Sequence, residues 1–229
     1  MSGFFFEIKS FKLILRKEPW VTVRDLVPPG ELILKQPCSG YRFSADSVRL
    51  ADFVQILPQE TLMDLCTGVG VVPLLIRQRC SFMRAFGIEL QSELCQMARH
   101  NVRAHQLEEQ IHILQADVRT LTAASLRELT GVECPEYFDV LSVNPPYFPL
   151  REGKLNNNHQ KSIARHEITL TLPELFATCR KFLHMDGRLH LAHLRIREAE
   201  IFRELQAHGF QRVERRTILN DLLLLEARS

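Results

Sequence analysis

Short apolar runs alternate with amphipathic stretches along most of this 229-residue chain. Thr61 to Cys66, Arg84 to Ile88, Ile111 to Gln115 and Tyr137 to Val143 are brief and mostly apolar, the pattern of strands covered on both faces. Val71 to Gln78, Ser92 to His105 and Val118 to Leu129 fall between them and predict helices. Leu94, Met97, Ala98 and Val102 share one face of the second. Upstream, Leu50, Phe53, Val54 and Leu57 follow helical spacing, with Ser44 or Asp46 placed to cap that helix. Leu32 to Pro37 reads as a short strand that Pro37 stops.

Downstream, Thr171 and Glu174 have the spacing of a capping box. The helix they start carries Leu172, Leu175, Phe176, Cys179, Phe182 and Leu183 on one side, with Gly187 just past its end. Arg188 to His193 predicts another strand, and a helix from about Ile196 ends at Gly209. Gln211 to Ile218 and Leu222 to Glu226 read as an antiparallel pair around Asn220-Asp221. Strands alternating with helices predict an α/β fold with a parallel sheet covered on both faces. The length suits one such domain, taken as residues 21–229, after an N-terminal arm over residues 1–20.

Composition adds limits rather than direction. Apolar residues make up 45% and charged residues 24%, with a net charge of +2. That charge does not announce a nucleic-acid partner, so a local basic patch would have to provide one. The six cysteines form no C-x-x-C pair and show no metal-ligand rhythm. The apolar stretch Phe4 to Leu15 is broken by Glu7, Lys9 and Lys12, unlike a signal peptide or a spanning helix. A cytoplasmic protein with free thiols, no membrane partner and no metal is expected.

Candidate chemistry concentrates at two strand ends. Gly68-Val69-Gly70 lies between a strand and a helix, where glycines permit a sharp turn and close ligand approach. Glu89 ends the next strand twenty-one residues after Gly68, near the interval at which an acid meets a ribose diol. Asp117 ends the third, placed for an adenine amine. A dinucleotide turn needs a third glycine where this chain has Pro73. Asp64, just before the turn, favours a cationic ligand over a diphosphate. S-adenosylmethionine is therefore the expected donor.

The second strand end is Asn144-Pro145-Pro146-Tyr147. Two prolines make a stiff exit and leave the Pro145 carbonyl free to accept. The Asn144 side-chain carbonyl is a second acceptor, so the pair suits an amino group with two hydrogens. Gripping both hydrogens localises a delocalised lone pair and stabilises charge growing on nitrogen. Tyr147 offers a face for a flipped base, worth about 1–3 kcal/mol in comparable settings.

Asp64 to Gly70, Glu89, Asp117 and Asn144 to Tyr147 together resemble the class I methyltransferases that modify planar amines. Gly40-Tyr41-Arg42-Phe43-Ser44-Ala45-Asp46-Ser47 and Ile163-Ala164-Arg165-His166-Glu167 resemble flanking motifs of the bacterial N6-adenine methyltransferases acting on the anticodon loop of valine tRNA. The resemblance covers roughly residues 24 to 210. It implies a Rossmann-like, mostly parallel seven-stranded sheet with an antiparallel C-terminal strand pair. It implies S-adenosylmethionine as donor, held by Asp46, Asp64, Cys66, Thr67, Gly68, Gly70, Glu89, Leu90, Asp117, Val118 and Asn144. It puts Asn144, Pro145, Pro146 and Tyr147 at a target adenine in tRNA, position 37 of a valine tRNA. One departure is Cys66, where the family more often has glycine.

Arg151, Lys154, Lys161, Arg165 and His166 follow Tyr147 and Phe148 and are candidates for RNA contact. Rival acceptors are a protein glutamine amide, guanine N2 and DNA adenine. The glutamine enzymes carry an N-terminal helical recognition domain of about 70 residues, not expected here. A non-catalytic RNA-binding module is the remaining alternative, and Asn144 and Glu89 speak against it.

Overall fold

Every residue of Thr61–Leu65 is buried, as a strand at the centre of a two-sided sheet must be. The computed structural model describes residues 20–27, 30–148, 159–165 and 169–228. In chain order the elements are β1 (Trp20–Val27), β2 (Gly30–Pro37), α1 (Ala45–Phe53), β3 (Thr61–Leu65), α2 (Val71–Arg79) and β4 (Arg84–Glu89). Next come α3 (Ser92–Ala104), β5 (Ile111–Gln115), α4 (Ala123–Thr130), β6 (Phe138–Val143) and α5 (His159–Arg165). Then follow α6 (Leu172–Phe182), β7 (Leu183–Leu194), a 3₁₀ turn (Arg195–Arg197), α7 (Glu198–Ala207), β8 (Arg212–Leu219) and β9 (Leu222–Arg228).

The main sheet has seven strands in the order β5-β4-β3-β6-β7-β9-β8. β3, β4, β5, β6 and β7 run parallel. β9 pairs antiparallel with both β7 and β8. From β3 the chain steps outward through β4 to β5, then returns to place β6 on the other side of β3. The mouth between β3 and β6 is therefore the switch point at which open α/β sheets bind ligands. Leu65 pairs with Val143, so Cys66 and Asn144 leave the sheet at the same level.

Alternate residues of the strands feed two cores. Met63, Leu65, Phe86 and Leu141 pack with Phe176 of α6 and Ile201 of α7. Leu62, Ala85 and Val140 pack with Leu50, Leu74 and Ala98 of α1, α2 and α3.

β1 was not legible as a strand. It pairs antiparallel with β2 in a separate two-stranded sheet. Asn101 of α3 fastens that sheet to the molecule. Its Oδ1 accepts from the Lys35 N–H (2.7 Å), and its Nδ2 donates to the carbonyls of Lys35 (3.1 Å) and Val69 (2.9 Å). Asn101 is fully buried and so ties β2 to the glycine turn. Asn101→Ala strips all three bonds and is expected to cost about 2–4 kcal/mol in urea unfolding. A loss under about 0.5 kcal/mol would contradict this account of the joint.

Several boundaries differ from the periodic reading. α1 ends at Phe53, where Val54 turns to extended backbone, so Leu57 falls beyond the helix and is exposed. β7 starts at Leu183, before the expected Arg188. α4 starts at Ala123 rather than Val118, because Thr122 and Ser125 cap each other there. α6 stops at Phe182, and Gly187 falls inside β7 rather than behind the helix. Residues 1–19 of the expected arm lie outside the described residues. Among the described residues, no helix is long and apolar enough to cross a membrane.

Candidate active site

The turn after β3 adopts left-handed backbone at Cys66 (φ 59°), Gly68 (φ 59°) and Gly70 (φ 80°). Cys66 is not a glycine, and such a conformation costs an L-residue about 1–2 kcal/mol. A Cβ on Gly68 would come 3.2 Å from the Tyr41 ring. The turn therefore lies close against that ring, with little room for a side chain at Gly68. Burial pushes the half-buried Tyr41 hydroxyl up to about 12.

Glu89 builds the neighbouring wall. The Gly68 N–H donates to its Oε2 (2.9 Å) and the Gln91 N–H to its Oε1 (2.8 Å). One carboxylate thus fixes the glycine turn and the start of α3 together. Beneath them Asp64 is 1% exposed. The Ser142 hydroxyl donates to Asp64 Oδ1 (2.6 Å). Asp64 Oδ2 and the Thr67 hydroxyl are buried and make no close hydrogen bond among the described residues, although the Thr67 hydroxyl favours the charged form of Asp64. A buried carboxylate in the strand that leads into the glycine turn favours positive charge on a ligand held by that turn.

Burial pushes both carboxyls up to about 7, against the hydrogen bonds that favour their charged forms. Their unfolded values lie near 4, so between about pH 4 and 7 the folded chain holds more protons than the unfolded one. Stability from these two groups is present at the acid end of that window and is lost as pH rises through about 7. A cationic ligand needs the anions, so its affinity should rise over the same range. Calorimetric titration with S-adenosylmethionine is expected to show about tenfold tighter binding at pH 8 than at pH 6. Affinity that fell with pH would contradict this.

Asp117 is held differently. Arg119 grips it with Nε to Oδ1 (3.0 Å) and Nη2 to Oδ2 (2.6 Å), which holds its carboxyl below the usual carboxylate range. The carboxylate stays charged and oriented at the rim. Across from it, α5 contributes Ile163 and Ala164 to the lining. Gln160 fastens α5: its Oε1 accepts from the Tyr41 N–H (2.9 Å), and its Nε2 donates to Glu93 Oε2 (2.6 Å).

These elements enclose a solvent-open crevice of about 550 Å³. Cys66, Gly68, Glu89 and Asp117 line one part, Asn144 and Pro146 another. The two strand ends singled out in the sequence therefore face one space.

At the acceptor end, Asn144 Nδ2 donates to the buried Ser47 Oγ of α1 (2.9 Å). The amide is thereby turned so that Oδ1 points away from α1's serine. The Tyr147 hydroxyl donates to that Oδ1 at 2.5 Å and lies 3.4 Å from Asp46 Oδ2. Burial, and secondarily the Asp46 charge, push the Tyr147 hydroxyl far up. His193 of β7 backs the Tyr147 ring, with centroids 5.0 Å apart and planes at 47°. Burial pushes His193 down to about 3, so it is a neutral packing partner. Arg197 Nη1 donates to the Tyr147 carbonyl (3.1 Å) while pairing with Glu200.

Among the expected donor residues, Cys66, Gly68, Glu89, Leu90, Asp117, Val118 and Asn144 line the crevice. Asp64 and Thr67 are buried, and Gly70 packs against Ala98. Asp46 is beside the Tyr147 hydroxyl, on the acceptor side. Its capping role falls to Ser44, whose Oγ accepts from the Asp46 N–H. Pro145 is buried and Phe148 is exposed. Lys161 and Arg165 fall on α5, whereas Arg151, Lys154 and His166 lie outside the described residues. Ser47, Arg119, Gln160, His193 and Arg197 were not anticipated as site residues.

No protein-family model matches the chain. It is 33% identical over 172 residues to a tRNA1(Val) (adenine(37)-N6)-methyltransferase of Porphyromonas gingivalis, covering 73% of this chain and 64% of that one. It is 26% identical over 159 residues to the Histophilus somni protein of the same name, covering 69% and 63%. The chain thus spans just under two thirds of these curated relatives. Among solved structures, it superposes on the tRNA m1G37 methyltransferase of M. jannaschii with a TM-score of 0.64 at 12% identity, covering 93% of this chain and 57% of that one. The chain has the Rossmann-like fold of that solved structure, and its sequence is similar to the tRNA1(Val) (adenine(37)-N6)-methyltransferases.

Proposed function

We propose that this protein transfers a methyl group from S-adenosylmethionine to the exocyclic N6 of an adenine in tRNA, at position 37 of a valine tRNA. The observation that carries the reading is the shared crevice. The glycine turn with its carboxylates and the Asn144 amide line one space at the switch point. The names of the sequence relatives support adenine N6 as the acceptor and tRNA as the partner. Such a substrate puts the work in the cytoplasm.

When bound, S-adenosylmethionine supplies an electrophilic methyl group on a sulfonium. The chain's residues divide the remaining tasks. Glu89 takes the ribose diol, and Asp117, held charged by Arg119, takes an adenine amine. Asp64 answers positive charge from beneath the turn, with Cys66, Thr67, Gly68 and Gly70 shaping the floor. Leu90 and Val118, which line the crevice, would offer apolar surface to the donor's adenine. Asn144 Oδ1 and the Pro145 carbonyl accept the two hydrogens of the target amine, localise its lone pair and stabilise the charge that develops on nitrogen. Tyr147, backed by His193, stacks on the flipped base. The cationic product loses its proton to solvent, so alignment rather than a general base is the main demand. Phe148 and the basic residues Arg151, Lys154, Lys161, Arg165 and His166 are assigned to the RNA strand around the target.

Incubation with methyl-labelled donor and total tRNA, then digestion to nucleosides, tests the reading. Label in N6-methyladenosine is expected. Label in guanine N2 or in protein glutamine, or no label, would contradict it.

A further inference from the structure

The Tyr147 hydroxyl occupies the acceptor that the target amine needs. It donates to Asn144 Oδ1 at 2.5 Å. Asn144 cannot present its other end instead, because Nδ2 is committed to Ser47 Oγ at 2.9 Å. An amine hydrogen arriving at Oδ1 can use its second lone pair, but it then shares the oxygen with a short phenol bond and meets less negative charge than at a free carbonyl. A buried hydroxyl without a replacement acceptor would pay its full desolvation cost.

A replacement is at hand. Asp46 Oδ2 lies 3.4 Å from the same hydroxyl, on the first turn of α1. A small rotation of the phenolic O–H transfers its bond from the amide to the carboxylate. The Tyr147 hydroxyl is the side-chain group seen to reach the Asp46 carboxylate.

We propose that Asp46 is a positioning residue that takes over the Tyr147 hydroxyl when the target amine binds, freeing Asn144 Oδ1. The inference rests on the proposed amine-methylating reading and gives Asp46 a task on the acceptor side. No covalent bond or proton changes hands in this exchange, only the direction in which one O–H donates. The expected consequence is specific. Asp46 matters because Tyr147 carries a hydroxyl, and it loses that importance when the hydroxyl is removed.

A double-mutant cycle reads this directly, with kcat, KM for RNA and donor Kd measured for each variant. Asp46→Ala is expected to lower kcat about tenfold or more with donor Kd unchanged. Asp46→Asn, which keeps a side-chain oxygen, should recover most of that loss. In a Tyr147→Phe background, Asp46→Ala should cause no further loss. Equal losses in both backgrounds would overturn the proposal, as would a rise in donor Kd that accounts for the lost rate. A wild-type protein that methylates no amine would defeat the underlying reading. An active wild type with an additive cycle defeats only the role of Asp46.

Discussion

Asn144→Ala is expected to lower methyl transfer about a hundred- to a thousandfold while leaving donor affinity within about threefold. The orientation of the asparagine amide is fixed by a buried partner, Ser47. Its Oδ1 meets charge that appears only as the methyl moves to nitrogen, so the interaction is stronger in the transition state than in either bound ligand. The loss should therefore appear in kcat. Alanine also frees the Tyr147 hydroxyl from its short bond, but Asp46 remains within reach to hold the ring. Single-turnover rates with calorimetric donor titration separate the two effects. A donor Kd that rose in step with the lost rate would move Asn144 from the acceptor to the donor.

Glu89→Ala is expected to weaken donor binding about a hundredfold, the worth of two charge-assisted hydrogen bonds at roughly 3 kcal/mol together. The same change removes the acceptor for the Gly68 and Gln91 N–H groups, so the glycine turn loses its fixed shape. Glu89→Gln keeps a carbonyl oxygen for one of those donors and should fall between wild type and alanine. The test is donor Kd by calorimetry, with the unfolding midpoint recorded alongside. Unchanged affinity in the alanine variant would remove Glu89 from the donor site.

Glu89 and Asn144 were readable because they sit at strand ends, where spacing along the chain maps directly onto the sheet. Glu89 follows Gly68 by one βαβ unit, and register then sets the two side by side. Asp46 was placed with the donor because its position on α1 fixes the start of a helix but not which end of the crevice that helix faces. Ser47 and Arg197 make their decisive bonds across 97 and 50 residues. Nothing local in sequence marks such partners: a helical serine and a surface-like arginine look the same whether or not a distant loop folds onto them. His193 ends a strand predicted from the sequence, but its place behind Tyr147 depends on the β6–β7 register. The start of α4 was displaced because its capping box uses Ser125, where the common signature has an acid or amide. Cys66 stood out in sequence as a departure from glycine, and it adopts the left-handed backbone that glycine would take without strain.

The account stands on the donor's methyl and the target's amine meeting at the mouth between β3 and β6. A crystal structure of the protein with S-adenosylhomocysteine and an adenosine-containing anticodon stem-loop measures this directly. The account predicts the sulfur beside the Gly68 turn and the target N6 about 3 Å from Asn144 Oδ1, with the base against Tyr147. A base bound away from Asn144, or a nucleoside outside the Gly68–Glu89 crevice, would contradict it.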